Sequence, residues 1–183
     1  ARHHDIGDHQ IYDLALQQLI NGFSLGSMYA LLALGFTLVY GILELINFSH
    51  FNVFMVGSFV AFYVLEGFGV VGQNTIMTGL PLVGVLLAAL AVTMLVTGGI
   101  GVGIERLLLR PLRAVKGPAA MILTIGGSYV LFNIVILGAG ADSKNFPNPL
   151  PPIVFTFENA VLRMREILIW VISLLLMGGL TYF

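Results

Sequence analysis

Cysteine is absent from this chain of 183 residues, and charged residues make up only 9% of it. The absence of cysteine excludes disulfide bonds, thiolate metal sites and iron–sulfur ligation. The scarcity of charge excludes a soluble globule, because a soluble domain carries about 25% charged residues. The first ten residues, ARHHDIGDHQ, also lack the basic start and short apolar core of a cleavable signal peptide. The first apolar segment is therefore expected to act as an uncleaved insertion signal.

Hydrophobic residues, 58% of the chain, are concentrated in five segments that contain no Asp, Glu, Lys or Arg. A membrane-spanning helix needs about 20 apolar residues, and four of these segments reach that length while the last nearly does. They predict an all-α, polytopic membrane protein with about five transmembrane helices and a polar break near 44–52. The helices are expected at about 14–40, 53–67, 81–104, 117–139 and 166–183.

We expect the whole chain, 1–183, to form a single transmembrane domain. A polar lead-in occupies 1–13, and a loop over 140–165 contains four prolines. Proline at this density favours an extended conformation. A short helix is expected near the end of that loop, at about 157–166, leading into the last membrane span.

Basic residues predict the orientation. Half of the eight Lys and Arg residues lie in one short segment between the third and fourth predicted helices, namely Arg106, Arg110, Arg113 and Lys116. Excess basic charge marks the cytoplasmic side of a membrane protein. The three arginines are therefore expected to face the cytoplasm. Loop 140–165 and the N-terminus are then expected outside, and the C-terminus in the cytoplasm.

Small residues recur at every fourth position of the first predicted helix, at Gly22, Gly26 and Ala30. Residues four apart lie on one helix face, and small side chains there let a second helix approach closely. Two interpretations are open. The face is an interface with a partner subunit, or it packs against another helix of this chain.

Four polar residues interrupt the apolar sequence at Glu44, Asn47, Ser49 and His50. Unpaired polar groups buried in lipid cost about 2–7 kcal/mol each, so these side chains must face protein, water or the membrane interface. Three interpretations are open: a broken segment lining a translocation path, an ordinary cytoplasmic turn, or a polar cluster that locks helices together.

No cofactor, metal or nucleic acid is expected to bind this chain, and no catalytic residue is indicated. The glycines at 98, 99, 101 and 103 lie in an apolar span and are not followed by Gly-Lys-Ser/Thr, so they do not form a phosphate-binding loop. If ATP drives the activity, another subunit hydrolyses it. The chain is therefore not predicted to be an enzyme.

The segment NGFSLGSMYALLALGFTLVYGILELINFSH resembles the N-terminal part of the membrane permeases of branched-chain amino acid ABC importers. This Liv-type family also includes urea and short-chain amide permeases. IERLLLRPLR at 104–113 and Thr124-Ile125-Gly126 fit the family in order and spacing, so the resemblance covers essentially the whole chain.

The resemblance implies a permease subunit in a prokaryotic plasma (inner) membrane, importing branched-chain or other small amino acids, or urea or amides. It also implies a second permease subunit, two cytoplasmic ATPase subunits and an external substrate-binding protein. On this basis Glu44, Asn47, Ser49 and His50 are expected to line or support the translocation path.

The chain departs from the family pattern in two places. Phe51-Asn52 stands where the family usually has Gly-Glu, and Phe restricts backbone angles that Gly allows. Family permeases also continue beyond the position of Phe183 with a basic segment that docks on the ATPase. The chain is then either a fragment of a longer permease or a short relative. The alternative function is a non-transporting accessory or structural subunit, derived from a permease, in a larger membrane protein complex.

Overall fold

The computed structural model describes residues 2–70, 72, 76–112, 119–157 and 160–182. Five helices account for most of these residues, and α3 continues into a π-helical turn at Glu105–Leu109 and a 3-10 turn at Arg110–Leu112. The helices are α1 (Arg2–Leu43), α2 (His50–Gly67), α3 (Leu80–Ile104), α4 (Ala119–Ala139) and α5 (Met164–Tyr182).

Among the described residues, four helical segments are long and apolar enough to cross a membrane. They are Ile11–Ile42, His50–Gly67, Leu80–Leu109 and Met121–Ala139. At most 11% of any of these spans is buried within the chain, so their large apolar side chains face outward, as lipid-facing residues do. The prediction of a polytopic helical membrane protein is confirmed, and the polar break does separate the first two helices.

Helix boundaries differ from the sequence predictions at several positions. α2 begins at His50 rather than near 53, and the lead-in is already helical from Arg2. The start of α3 is marked by Gly79, whose φ of 72° is readily available only to glycine, followed by a proline in the first turn. α4 ends before Gly140, another residue with positive φ.

The prediction of a short helix at about 157–166 is wrong. Strands β1 (Val154–Phe157) and β2 (Ala160–Arg163) form an antiparallel hairpin there, with Val154 opposite Arg163. The first strand has the sequence VFTF, and β-branched and aromatic residues favour a pleated strand over a helix. Helix α5 starts only after the hairpin, at Met164.

The chain divides into two compact units. The terminal unit comprises residues 1–35 and 150–183, and the central unit comprises residues 36–149. In the terminal unit, the indole N–H of Trp170 on α5 donates to Ser24 Oγ on α1 at 2.9 Å, and the Trp170 ring meets Phe23 edge-on at 5.1 Å. These contacts fix one face of α1 against α5.

The central unit packs α2 against α3 and α4, with an apolar cluster at each end. One cluster contains Leu65, Val70 and Ala89, and the other contains Ile104 and Leu109. The connections after α2 and α4 meet at the first end, where the Met77 N–H donates to the Pro149 carbonyl at 3.0 Å. The polar break lies at the opposite end.

Candidate functional site

Helix α1 ends at the polar break, where Glu44 has an unusual backbone conformation. The Glu44 N–H still donates to the Tyr40 carbonyl at 2.8 Å, but Glu44 itself has φ of 52°. It is the one non-glycine residue with positive φ in the described part of the chain. Such a conformation costs an ordinary residue about 1–2 kcal/mol, so contacts on either side must hold it. The Glu44 side chain is exposed.

Asn47 organises the turn into α2. Its side-chain Oδ1 accepts the Ser49 N–H at 3.0 Å, and its carbonyl accepts the His50 N–H at 3.3 Å. Asparagine often stabilises turns in this way, by bonding the backbone two residues on. Asn47 is only 9% exposed, so its side chain serves the local backbone.

Ser49 and Thr124 join the break to α4, and both are fully buried. Ser49 Oγ donates to the Thr124 carbonyl at 2.7 Å, and the Phe48 N–H donates to Thr124 Oγ1 at 3.2 Å. Thr124 Oγ1 in turn lies 3.0 Å from the Met121 carbonyl, to which it donates. We call Asn47, Ser49 and Thr124 the polar lock, since they satisfy buried backbone and hydroxyl groups that lipid could not.

A glycine lets the end of α3 approach the polar lock. A Cβ at Gly127 would lie 2.5 Å from Leu108 Cδ1 and 3.2 Å from Ser49 Oγ. Leu108 belongs to the π-helical turn, in which the Arg110 N–H donates to the Glu105 carbonyl. The wider π turn is a feature often found at functional sites. Here it brings the break, α3 and α4 to one point.

The four predicted break residues lie together but have different environments. Asn47 and Ser49 are buried in the polar lock, whereas Glu44 is exposed and His50 is half-buried. The His50 ring lies 6.0 Å from the rings of both Phe36 and Phe51. Of the four, Glu44 and His50 therefore have the more accessible side chains.

Phe51 does not need the backbone freedom of the glycine expected at its position. It lies in the first turn of α2, and its ring stacks on Phe36 at 5.7 Å. The neighbouring Asn52 side-chain amide donates to Ser128 Oγ on α4. The departure from the family pattern is thus accommodated by helical geometry and a second polar contact to α4.

The predicted cytoplasmic arginines lie near the break. Arg106 and Arg110 are exposed on the turns that follow α3, and Leu108 between them contacts the α4 glycine beside Ser49. Arg113 lies outside the described residues. The basic segment and the polar break therefore share one end of the central unit.

The small residues of α1 face away from α5. Successive residues of an α-helix are about 100° apart, which places Gly22 and Gly26 about 200° from Ser24, the residue bonded to Trp170. A Cβ at either glycine would meet no other element within 4 Å among the described residues, and Ala30 is half-buried. Within the described chain, the two glycines have no packing partner.

Sequence reasoning missed the partners of the break. Thr124 belongs to a family motif, but its sequence context does not identify it as the acceptor for both the Ser49 hydroxyl and the Phe48 N–H. Nothing in the sequence analysis above points to Ser128 or Gly127. The usable signal was the four-residue spacing of Thr124 and Ser128, which places two hydroxyls on one face of an apolar helix. In the described residues, no three His, Asp or Glu side chains are grouped to hold a metal ion.

The chain is similar to known transport proteins over most of its length. The BraD permease protein of a high-affinity branched-chain amino acid transport system in Pseudomonas aeruginosa is 41% identical over 172 residues, 92% of this chain. The LivH permease proteins of Escherichia coli K12 and Salmonella typhimurium, which belong to systems of the same description, are 38% and 37% identical over 174 residues, again 92% of this chain.

The chain spans about half the length of these relatives, 54% in each case. No solved structure matches it significantly. The family model described as "Branched-chain amino acid transport system / permease component" matches residues 18–183. That range includes the polar break, the basic segment and every described helix after the start of α1. The chain therefore belongs to the permease family of branched-chain amino acid transport systems.

Proposed function

We propose that the full-length protein is a permease subunit of an ABC importer for branched-chain amino acids, in the inner membrane of a prokaryote. The observation that carries the proposal is the 41% identity to BraD over 92% of the chain. The apolar helices agree with it. We extend the substrate range to other small amino acids, urea or amides, as the wider family resemblance implies.

The transporter would contain a second permease subunit, two cytoplasmic ATPase subunits and an external substrate-binding protein. ATP hydrolysis would belong to the ATPase subunits, and this chain would be a single permease domain. The polar break and the arginines lie at the same end of the central unit, which supports an orientation in which both face the cytoplasm. In this orientation the start of α1 is outside and the end of α5 is cytoplasmic.

The break would form the cytoplasmic end of the translocation path. Glu44 and His50 would be accessible to solute or water there, because their side chains keep exposed surface. Asn47 and Ser49 would support the path by fixing α1 and α2 to α4. Gly22, Gly26 and Ala30 would form a helix interface with the partner permease, and Arg106, Arg110 and Arg113 would face the cytoplasm.

Uptake of labelled leucine tests the function directly. The full-length gene, with its ATPase and binding-protein partners, is expressed in cells that lack their own branched-chain importer. Leucine should accumulate, and accumulation should stop when the ATPase subunits are omitted. Uptake that is no greater than in cells without the permease contradicts the proposal.

The path assignment has its own test. His50→Ala should reduce leucine uptake at normal membrane abundance, because it removes a side chain from the mouth of the path. Ser58→Ala is the control, since Ser58 is exposed on α2 and its hydroxyl donates to the Phe54 carbonyl of its own helix. Equal leucine uptake by the two variants would contradict the assignment of His50 to the translocation path.

The proposed helix interface is tested by co-purification of the second permease. Gly26→Leu should lower co-purification of the second permease, while the variant itself inserts and folds, because Gly26 faces no other described element. Gly84→Leu on α3 is a matched control, since a Cβ at Gly84 also meets nothing within 4 Å. If the Gly26 variant retains its partner as well as the control does, the interface lies elsewhere.

The second candidate function is a non-transporting accessory subunit of a larger membrane protein complex. The burial of Asn47 and Ser49 favours it, because neither side chain is open to a passing solute. In this case the protein would co-purify with a membrane complex that lacks ATPase subunits, and leucine uptake would not depend on it.

A further inference from the structure

A polar recess of about 510 Å³ lies in the terminal unit. It is formed by α1, strand β2 and the first turn of α5. This volume falls within the range of small-molecule pockets, about 300–1,000 Å³. The lining residues are Gln17, Asn21, Val161, Arg163, Arg165 and Glu166. We call it the arginine recess.

The hydrogen-bond acceptors of the arginine recess already take part in contacts within the chain. Gln17 Oε1 accepts the Val161 N–H at 2.8 Å, and Asn21 Oδ1 accepts from Gln17 Nε2 at 3.2 Å. Glu166 is 6% exposed. One of its carboxylate oxygens accepts the Arg163 N–H at 3.0 Å, and the other lies 3.9 Å from Arg165 Nε.

The donors, in contrast, remain available. Arg163 and Arg165 are both exposed. Among the described residues, the Arg163 guanidinium makes no hydrogen bond or ion pair, and Arg165 makes only the long contact to Glu166. Two guanidinium groups against one carboxylate leave the recess with a formal charge of +1. Planar guanidinium groups suit a carboxylate, which they bind with two parallel hydrogen bonds.

We infer that the arginine recess binds the carboxylate of a small amino acid on the outer side of the membrane. The outer location and the identity of the solute rest on the proposed function. The recess should recognise the carboxylate rather than the ammonium group, since its formal charge is positive and its one carboxylate, Glu166, is buried. Val161 provides apolar surface for the rest of the solute.

The test is equilibrium binding of labelled leucine to the full-length permease complex in nanodiscs, without the binding protein. 4-Methylpentanoate, which lacks the amino group of leucine, should compete about as well as leucine itself. Leucinol, which lacks the carboxylate, should not compete. Competition by leucinol as strong as that by 4-methylpentanoate overturns the inference.

Variants locate the site. Arg163→Gln should weaken leucine binding at least about tenfold, equivalent to about 1.4 kcal/mol, and Arg163→Lys should lose less because the charge remains. Lys144→Gln should bind normally, because Lys144 lies in the same predicted external loop but against the Phe62 and Tyr63 rings of the central unit. Thermal melts of all three variants show whether they fold.

The remaining outcomes separate the two proposals. If wild-type cells take up leucine but Arg163→Gln binds it normally, the recess inference is wrong and the transport function stands. If cells take up no leucine but Arg163→Gln abolishes 4-methylpentanoate binding, the recess stands and the function is wrong. If Arg163→Gln changes only the retention of anionic phospholipid, the recess holds a lipid phosphate and the inference is overturned.

Discussion

Gly127 provides the sharpest test of how the polar lock is assembled. The Gly127→Ala substitution adds one methyl group where α4 meets the end of α3. That group would lie 2.5 Å from Leu108 Cδ1 and 3.2 Å from Ser49 Oγ. Carbon atoms in contact prefer about 3.5–4.0 Å, so Leu108 must move, and the Ser49 hydroxyl must shift slightly.

The expected magnitude follows from two opposing terms. Alanine is better than glycine inside a helix by about 1 kcal/mol, which would stabilise the variant. Inserting a methyl group into a packed site typically costs about 1–3 kcal/mol. Gly126→Ala experiences only the first term, because a Cβ there meets nothing within 4 Å. We therefore expect Gly127→Ala to be less stable than Gly126→Ala by about 1–3 kcal/mol.

A double-mutant cycle identifies the clash. Leu108→Ala removes the methyl group that the new Cβ would meet, so it should lessen the effect of Gly127→Ala by about 0.5–3 kcal/mol, the usual coupling between residues in contact. Stability is measured on full-length protein in detergent micelles, by unfolding with increasing denaturing detergent. Equal stability of the two glycine variants, or no coupling to Leu108, would refute the packing described here.

Three further predictions concern hydrogen bonds and helix packing. Ser49→Ala should destabilise the protein by about 0.5–1.5 kcal/mol, because it removes a buried hydrogen bond to a carbonyl on α4. Ser58→Ala, an exposed control, should leave stability unchanged, so equal unfolding midpoints for the two variants would contradict the prediction. Trp170→Phe should cost a similar amount through loss of the bond to Ser24, and an unchanged melting temperature would show that this bond contributes nothing. Gly57→Ala should lower the melting temperature, because its Cβ would lie 3.0 Å from a threonine methyl on α3 and a β-branched side chain turns away with difficulty; a higher melting temperature would contradict the close packing of α2 on α3.

The local sequence was sufficient to predict the helices but not the hairpin. Long apolar runs predict spans because only a helix or a closed barrel satisfies its backbone in lipid, and the described helices follow those runs. The segment at 154–163 is short and mixes apolar with polar residues, and no apolar run decides its structure. There the antiparallel pairing of Val154 with Arg163 gives strands, a pairing that residue-by-residue periodicity does not reveal.

The sequence by itself determined the membrane class, the family and the position of the polar break, because hydrophobicity and motif are written along the chain. Only the tertiary structure decided which groups the break residues contact. Ser49 and its partner Thr124 are 75 positions apart, and Gly127 brings Leu108 beside them. Such contacts depend on how helices pack, which the order of residues does not state. The same packing buried Asn47 and Ser49 and left Glu44 and His50 with exposed surface.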